Sequence, residues 1–146
     1  MSMPSAIFTA MLAVAAVVST TAANADQCEK VGATQAAINE CYNDAYRKSD
    51  AELNKLYKKI MARLKKDPKA TELLVAAQRA WIVFRDAECG FQSSGVAGGS
   101  AGPMIYSSCL DRLTTSRIGD FTSYLHCEEG DLSCPVPPAP GRGSAD

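Results

Sequence analysis

From Thr34 to Leu64 the apolar positions Ile38, Cys41, Ala45, Leu53, Leu56, Ile60 and Leu64 keep mostly to three- and four-residue steps, with Lys and Arg between them. That period buries one face of an α-helix and leaves the other in water. Thr34 is placed to cap its start. Ser49-Asp50-Ala51-Glu52 has capping-box spacing and offers the alternative of a short helix, a break and a second helix starting near Ser49, but the pattern favours one long helix, kinked there at most. Lys65 and Lys66 suit a helix C-terminus, and Asp67-Pro68 supplies a new N-cap followed by proline at the first helical position. A connection this tight makes the two helices antiparallel neighbours.

The second helix carries the stretch QRAWIVFRDAEC, Gln78 to Cys89, with the chain's only tryptophan. Leu74, Ala77, Trp81, Phe84 and Phe91 recur at helical spacing and are expected to form its buried stripe, with Arg85 and Cys89 one turn apart beside it. Arg79, Arg85, Asp86 and Glu88 are read as helix-surface or inter-helix ion pairs; burial of Arg85 or Glu88 would turn that reading toward a structural network. After Phe91 the composition changes to Gln92–Gly102, with four glycines, which is a loop. Pro103 opens a third helix running to about Leu125, with Met104, Tyr106, Leu110, Leu113, Phe121 and Tyr124 facing inward. Gly119 weakens it by about 1 kcal/mol relative to alanine. The expected fold is all-α: a three-helix domain built on an antiparallel helical hairpin and stapled by disulfides.

The first residues lie outside that fold. Residues 1–25 contain no charged side chain, run apolar from Ile7 to Val18 and end Ala23-Asn24-Ala25, which reads as a signal peptide with its cleavage site. About a dozen apolar residues fall short of the roughly 20 needed to cross a bilayer, so no stable membrane insertion is expected after cleavage. Ala25 and Gln27 spoil the lipobox that a lipid-anchored Cys28 would need, which makes the expected product a soluble periplasmic or secreted protein. Residues 26–127 form the helical domain. Residues 128–146 contain Cys134 and a run of prolines with no apolar stripe, and read as a flexible tail.

In an oxidising compartment the six cysteines Cys28, Cys41, Cys89, Cys109, Cys127 and Cys134 imply disulfides. Counting along the helices brings Cys109 toward Cys89 across the glycine loop. Cys28–Cys41 would tie the N-terminal arm to the first helix, and Cys127–Cys134 would close a small ring. The rival scheme joins Cys41 to Cys89 and Cys28 to Cys109. Metal binding competes, but the chain has no CxxC pair, and its single histidine, His126, stands beside Cys127 alone. No cofactor is expected.

A formal net charge of −1 argues against nucleic acid as a partner, because that task needs a clustered basic surplus. Enzyme readings come out poorly. His126 has no nucleophile setting around it, and Asp86 and Glu88 stand about 200° apart around the helix, so they do not converge on one bond. Glu40 and Asp44 share a face but lie near Arg47 and Lys48 as ordinary surface charges.

With these residues in hand, the chain resembles the LprI-like lysozyme-inhibitor family of small exported bacterial proteins. The resemblance rests on Cys28, Cys41, Asp50 to Asn54 with Tyr57, then Gln78, Arg79, Trp81, Phe84, Arg85, Asp86, Glu88 and Cys89, the Gly98-Gly99-Ser100 loop, Pro103-Met104 with Tyr106 and Cys109, and a closing Thr114, Arg117, Leu125 pattern. Gln78, Trp81, Phe84, Arg85, Asp86 and Glu88 are its structural signature. The resemblance implies a binding protein, with no catalytic residue, that blocks the cleft of a lysozyme or other muramidase and protects peptidoglycan. The Ser/Gly loop is the element suited to enter a cleft, so Ser93, Ser94, Gly95, Gly98, Gly99 and Ser100 are the candidate contact residues. Ser94-Gly95 begins like the Ser-Gly-x-x-Tyr signature of other periplasmic inhibitors, but Gly98 stands where the tyrosine should be. The alternative is a disulfide-stapled envelope module that binds another protein or a wall component.

Overall fold

The computed structural model describes residues 27–30, 34–127 and 130–138. The expected signal peptide therefore lies outside the described residues. Three long helices account for the domain: α1 (Gln35–Leu64), α2 (Pro68–Ser93) and α3 (Gly102–Leu125). A short 3-10 turn, Ser94–Val96, links the last two. No strand occurs among the described residues.

Local chemistry accounts for the boundaries. Thr34 caps α1, its Oγ1 accepting from the Ala37 N–H at 3.3 Å. Asp67 caps α2 in the same way from Ala70 at 2.9 Å, with Pro68 in the first turn where its missing N–H costs nothing. Helix α1 runs unbroken through Ser49, whose hydroxyl donates back to the Tyr46 carbonyl instead of capping a new start. The Asn54 amide in turn bonds Asp50 through both its carbonyl and its carboxylate.

The tight Leu64–Asp67 turn forms the helical hairpin, yet the two helices it joins touch little. The closest packing is between α1 and α3, and α2 lies mainly along α3. One apolar cluster, at the α1 C-terminal and α3 C-terminal end, gathers Leu53, Leu56, Ile60, Leu64, Phe121 and Leu125, with Trp81 and Leu74 of α2 packed on its margin. The second cluster, at the other end, is built from Cys89, Cys109 and Leu110 with Tyr46, Tyr106 and Leu113 around them.

Three disulfides join Cys28 to Cys41, Cys89 to Cys109 and Cys127 to Cys134, which is the expected scheme and not its rival. The tail expectation needs correcting at its start. Val136 is 3% exposed inside the first apolar cluster, so the segment after Cys134 returns to the core. The Cys127–Cys134 ring directs it there, and Asp131, whose carboxylate accepts from both the N–H and the hydroxyl of Ser133, tightens the turn inside that ring.

Candidate functional site

Helix α2 meets the rest of the domain through a polar seam. Its buried residues are Arg85 and Cys89, whereas Phe84 and Phe91, expected in the buried stripe, are 54% and 75% exposed; Ala77 is exposed as well. The helix is thus rotated from the expected setting. Cys89 fixes the rotation: bridged to Cys109 it must face inward, and it lies about 140° around the helix from Phe84.

Arg85 occupies the layer between the two apolar clusters. Its Nε and Nη2 both reach Asp86 Oδ1 at 2.9 Å, and its Nη1 donates to Asp50 Oδ1 of α1 at 3.4 Å and to Thr114 Oγ1 of α3 at 3.5 Å. The guanidinium also stands over the Tyr46 ring at 5.4 Å and the Trp81 ring at 5.1 Å. One side chain therefore touches all three helices. Burial by itself would lower the Arg85 pKa, but the Asp86 hydrogen bond and the nearby Tyr46, Asp86 and Asp50 outweigh it and raise the value. Burial likewise raises the Tyr46 pKa, opposed by Arg85 and helped by Asp50 and Asp86.

A second arginine completes the arrangement. Arg117 of α3 donates to Gln78 Oε1 at 3.3 Å and stands over the Phe121 ring at 4.6 Å and the Trp81 ring at 5.9 Å. Gln78, Trp81, Arg85 and Asp86 of the signature thus serve as the attachment of α2. Glu88 instead accepts from the Gln92 amide at 2.7 Å, and Phe84 stays outside the network.

This attachment carries the Ser/Gly loop. Ser93 belongs to the last turn of α2, where its hydroxyl donates to the Cys89 carbonyl at 2.8 Å. Ser94, Gly95, Gly98, Gly99 and Ser100 are all exposed at one end of the bundle. The loop is nevertheless tied to itself at three points: the N–H groups of Ala97, Gly99 and Gly102 donate to the carbonyls of Ser94, Val96 and Gly99. Asn39 of α1 donates to the Ser100 carbonyl at 2.9 Å, and the Cys89–Cys109 bridge closes the base. Two glycines suit this path. Gly98 adopts φ 78°, and a Cβ on Gly102 would come within 3.0 Å of the Val96 carbonyl oxygen. A shallow hollow beside the loop is lined by Ser93, Gly98, Gly99, Pro103 and Tyr106.

The remaining candidates stay apart. His126 is exposed and its Nδ1 donates to the Thr122 carbonyl at 2.7 Å. Asp86 turns to Arg85 and Glu88 to Gln92, so the two acids do not share a target. Asp44 lies 3.9 Å from Arg47, near the Cys28–Cys41 bridge. No group of His, Cys, Asp and Glu that could hold a metal occurs among the described residues. No helix among them is long and apolar enough to cross a membrane.

Fold and loop together define a disulfide-stapled helical scaffold that presents one ordered, exposed loop. The family model described as "Lysozyme inhibitor LprI" matches residues 26–121, and the chain belongs to that family. An uncharacterized protein of Rhizobium meliloti (strain 1021) is 36% identical over 124 residues, covering 75% of this chain and 89% of that relative. No solved structure matches the chain.

Proposed function

We propose that this protein is an exported lysozyme inhibitor that inserts the Ser93–Ser100 loop into the cleft of a muramidase and so protects peptidoglycan. The carrying observation is the loop itself, exposed from Ser94 to Ser100 yet held by the Cys89–Cys109 bridge and by Asn39. Ordering a loop during binding costs free energy for each side chain immobilised, and a loop ordered beforehand avoids much of that cost. Small Ser and Gly side chains expose backbone N–H and C=O groups, which can meet catalytic carboxyls and saccharide-binding groups by hydrogen bonds. Family membership supports the choice of target, since the family is described by lysozyme inhibition. Three disulfides fit an oxidising compartment and hence a periplasmic or secreted location.

The test is a lytic assay on bacterial cell walls with purified protein. Inhibition is expected at tens of micromolar, where a complex of about −6 to −8 kcal/mol is populated. Replacing Ser93–Ser100 by a glycine-serine linker of equal length should leave helicity unchanged and abolish inhibition. Full lytic activity in the presence of the intact protein would direct the search to another envelope protein or wall component as the ligand.

A further inference from the structure

The three disulfides are unequally shielded. Cys28, Cys89 and Cys109 are 1%, 0% and 4% exposed, so two of the bridges have at least one covered end. Both ends of the third, Cys127 and Cys134, are partly exposed. Cys127 also borders a hollow of about 530 Å³ shared with Ser123, Tyr124, His126, Asp131 and Ser133, which gives an external thiol room beside it. A hollow reaches the Cys28–Cys41 bridge as well, but there the Cys28 end stays covered. Thiol–disulfide exchange requires a thiolate to reach a sulfur, so access ranks the bridges, and Cys127–Cys134 comes first.

The same bridge keeps the following segment on the helices. The hydrogen bonds that shape the turn are internal to it: the Cys134 N–H donates to the Asp131 carbonyl at 3.1 Å, and Ser133 donates to the Asp131 carboxylate. Of Pro135, Val136, Pro137 and Pro138 only Val136 is buried, in the cluster of Ile60, Leu64 and Phe121. With Pro135 it closes one side of an apolar groove lined by Ile60, Leu64, Leu74 and Tyr124. Once the bridge is open, that one valine has to hold the whole run from Cys127 onward in place. Ordering each residue costs conformational entropy comparable to the gain from burying one valine, so the segment leaves.

We infer that the Cys127–Cys134 bridge is a redox-labile latch: a dithiol reductant opens it, and the opening releases Pro135–Val136 and uncovers the groove beneath. One thiolate of the reductant attacks Sγ of Cys127, forming a mixed disulfide and expelling Cys134 as the thiolate. The reductant's second thiolate then attacks its own sulfur in the mixed disulfide, closing the reductant's disulfide and expelling Cys127. Two electrons pass from the dithiol to the bridge, and the two thiol protons end on the cysteines. A dithiol is required because Cys134, at a sequence separation of 7, otherwise re-attacks the mixed disulfide and restores the ring. The same proximity closes the latch on reoxidation. The Ser/Gly loop lies at the other end of α3, about 36 Å away along the helix, behind the covered Cys89–Cys109 bridge. The latch is therefore independent of the muramidase reading.

The test treats the native protein with dithiothreitol, blocks the thiols with iodoacetamide at intervals and maps the peptides. Cys127 and Cys134 should be alkylated roughly tenfold or more faster than the other four cysteines. As they appear, the Val136 methyl signals in NMR spectra should move to the positions of an unfolded chain, with an unchanged circular-dichroism spectrum. The double variant Cys127→Ser/Cys134→Ser should show the released Val136 signals with no reductant added. Earlier alkylation of either other pair would overturn the inference. So would Val136 signals that keep their core positions in the reduced protein, or a loss of helicity on reduction of this bridge alone, which would make it a support of the helices.

Discussion

Arg85→Ala should destabilise the domain by about 4 kcal/mol. Three contributions make up the figure. The buried aliphatic stem contributes about 2 kcal/mol at ~0.8 kcal/mol per methylene. Contacts with the Tyr46 and Trp81 rings, 5.4 and 5.1 Å away, add about 1–2 kcal/mol. The ion pairs add no more than about 1 kcal/mol, because the Asp86 and Asp50 side chains are 48% and 38% exposed and keep much of their hydration. Arg85→Met retains the stem and loses the rest, so it should cost about 2 kcal/mol. Arg85→Lys retains the charge but not the planar fork that reaches Asp86 while lying between two rings, and should fall near Met. Urea denaturation followed by circular dichroism reads all three. A loss below about 1 kcal/mol for alanine would refute the role assigned to this side chain. Equal losses for alanine and methionine would show that the stem contributes nothing and that the charge alone holds α2.

Other perturbations separate the remaining supports. Replacing Cys89 and Cys109 together by alanine opens a ring with a sequence separation of 20 and should cost about 3 kcal/mol in chemical denaturation, with inhibition lost along with the loop's base. Val136→Ala should cost about 1–2 kcal/mol, whereas an unfolded tail would predict no change. Tyr46 ionises above its ordinary value of 10.0, so the unfolded chain loses its proton first as pH rises. Stability supplied by this group is therefore intact below about pH 10 and declines above it; absorbance titration at 295 nm should show a late-ionising component that Tyr46→Phe diminishes.

How much of this was legible in the sequence differs from helix to helix. The pattern of α1 specified its length, its caps and its buried residues Leu53, Leu56, Ile60 and Leu64, because a surface helix on a core has one apolar face. Helix α2 has two. The stripe read from the sequence mixed the two: its Leu74 and Trp81 pack on the core, whereas its Ala77, Phe84 and Phe91 belong to the exposed face, and the inward side also carries the polar Gln78 and Arg85 and the bridged Cys89. Hydrophobicity could not reveal that a guanidinium lying between rings and carboxylates forms the contact. The clue was present in the disulfide scheme, since an inward Cys89 is incompatible with an inward Phe84 on the same helix. Val136 was missed because a single valine between prolines makes no pattern; only the Cys127–Cys134 ring shows where it is led. The loop was legible from its glycines as a break, but its hydrogen bonds to itself and to Asn39 depend on helix placement.

The most direct test of the central claim is calorimetric titration of the protein into lysozyme, alone and with its cleft filled by an N-acetylglucosamine oligomer. An inhibitor that enters the cleft through the Ser93–Ser100 loop should bind the free enzyme at micromolar concentration and lose that binding when the saccharide is present. Binding of equal strength in both titrations would place the contact away from the cleft, and no heat at tens of micromolar would contradict lysozyme as the target.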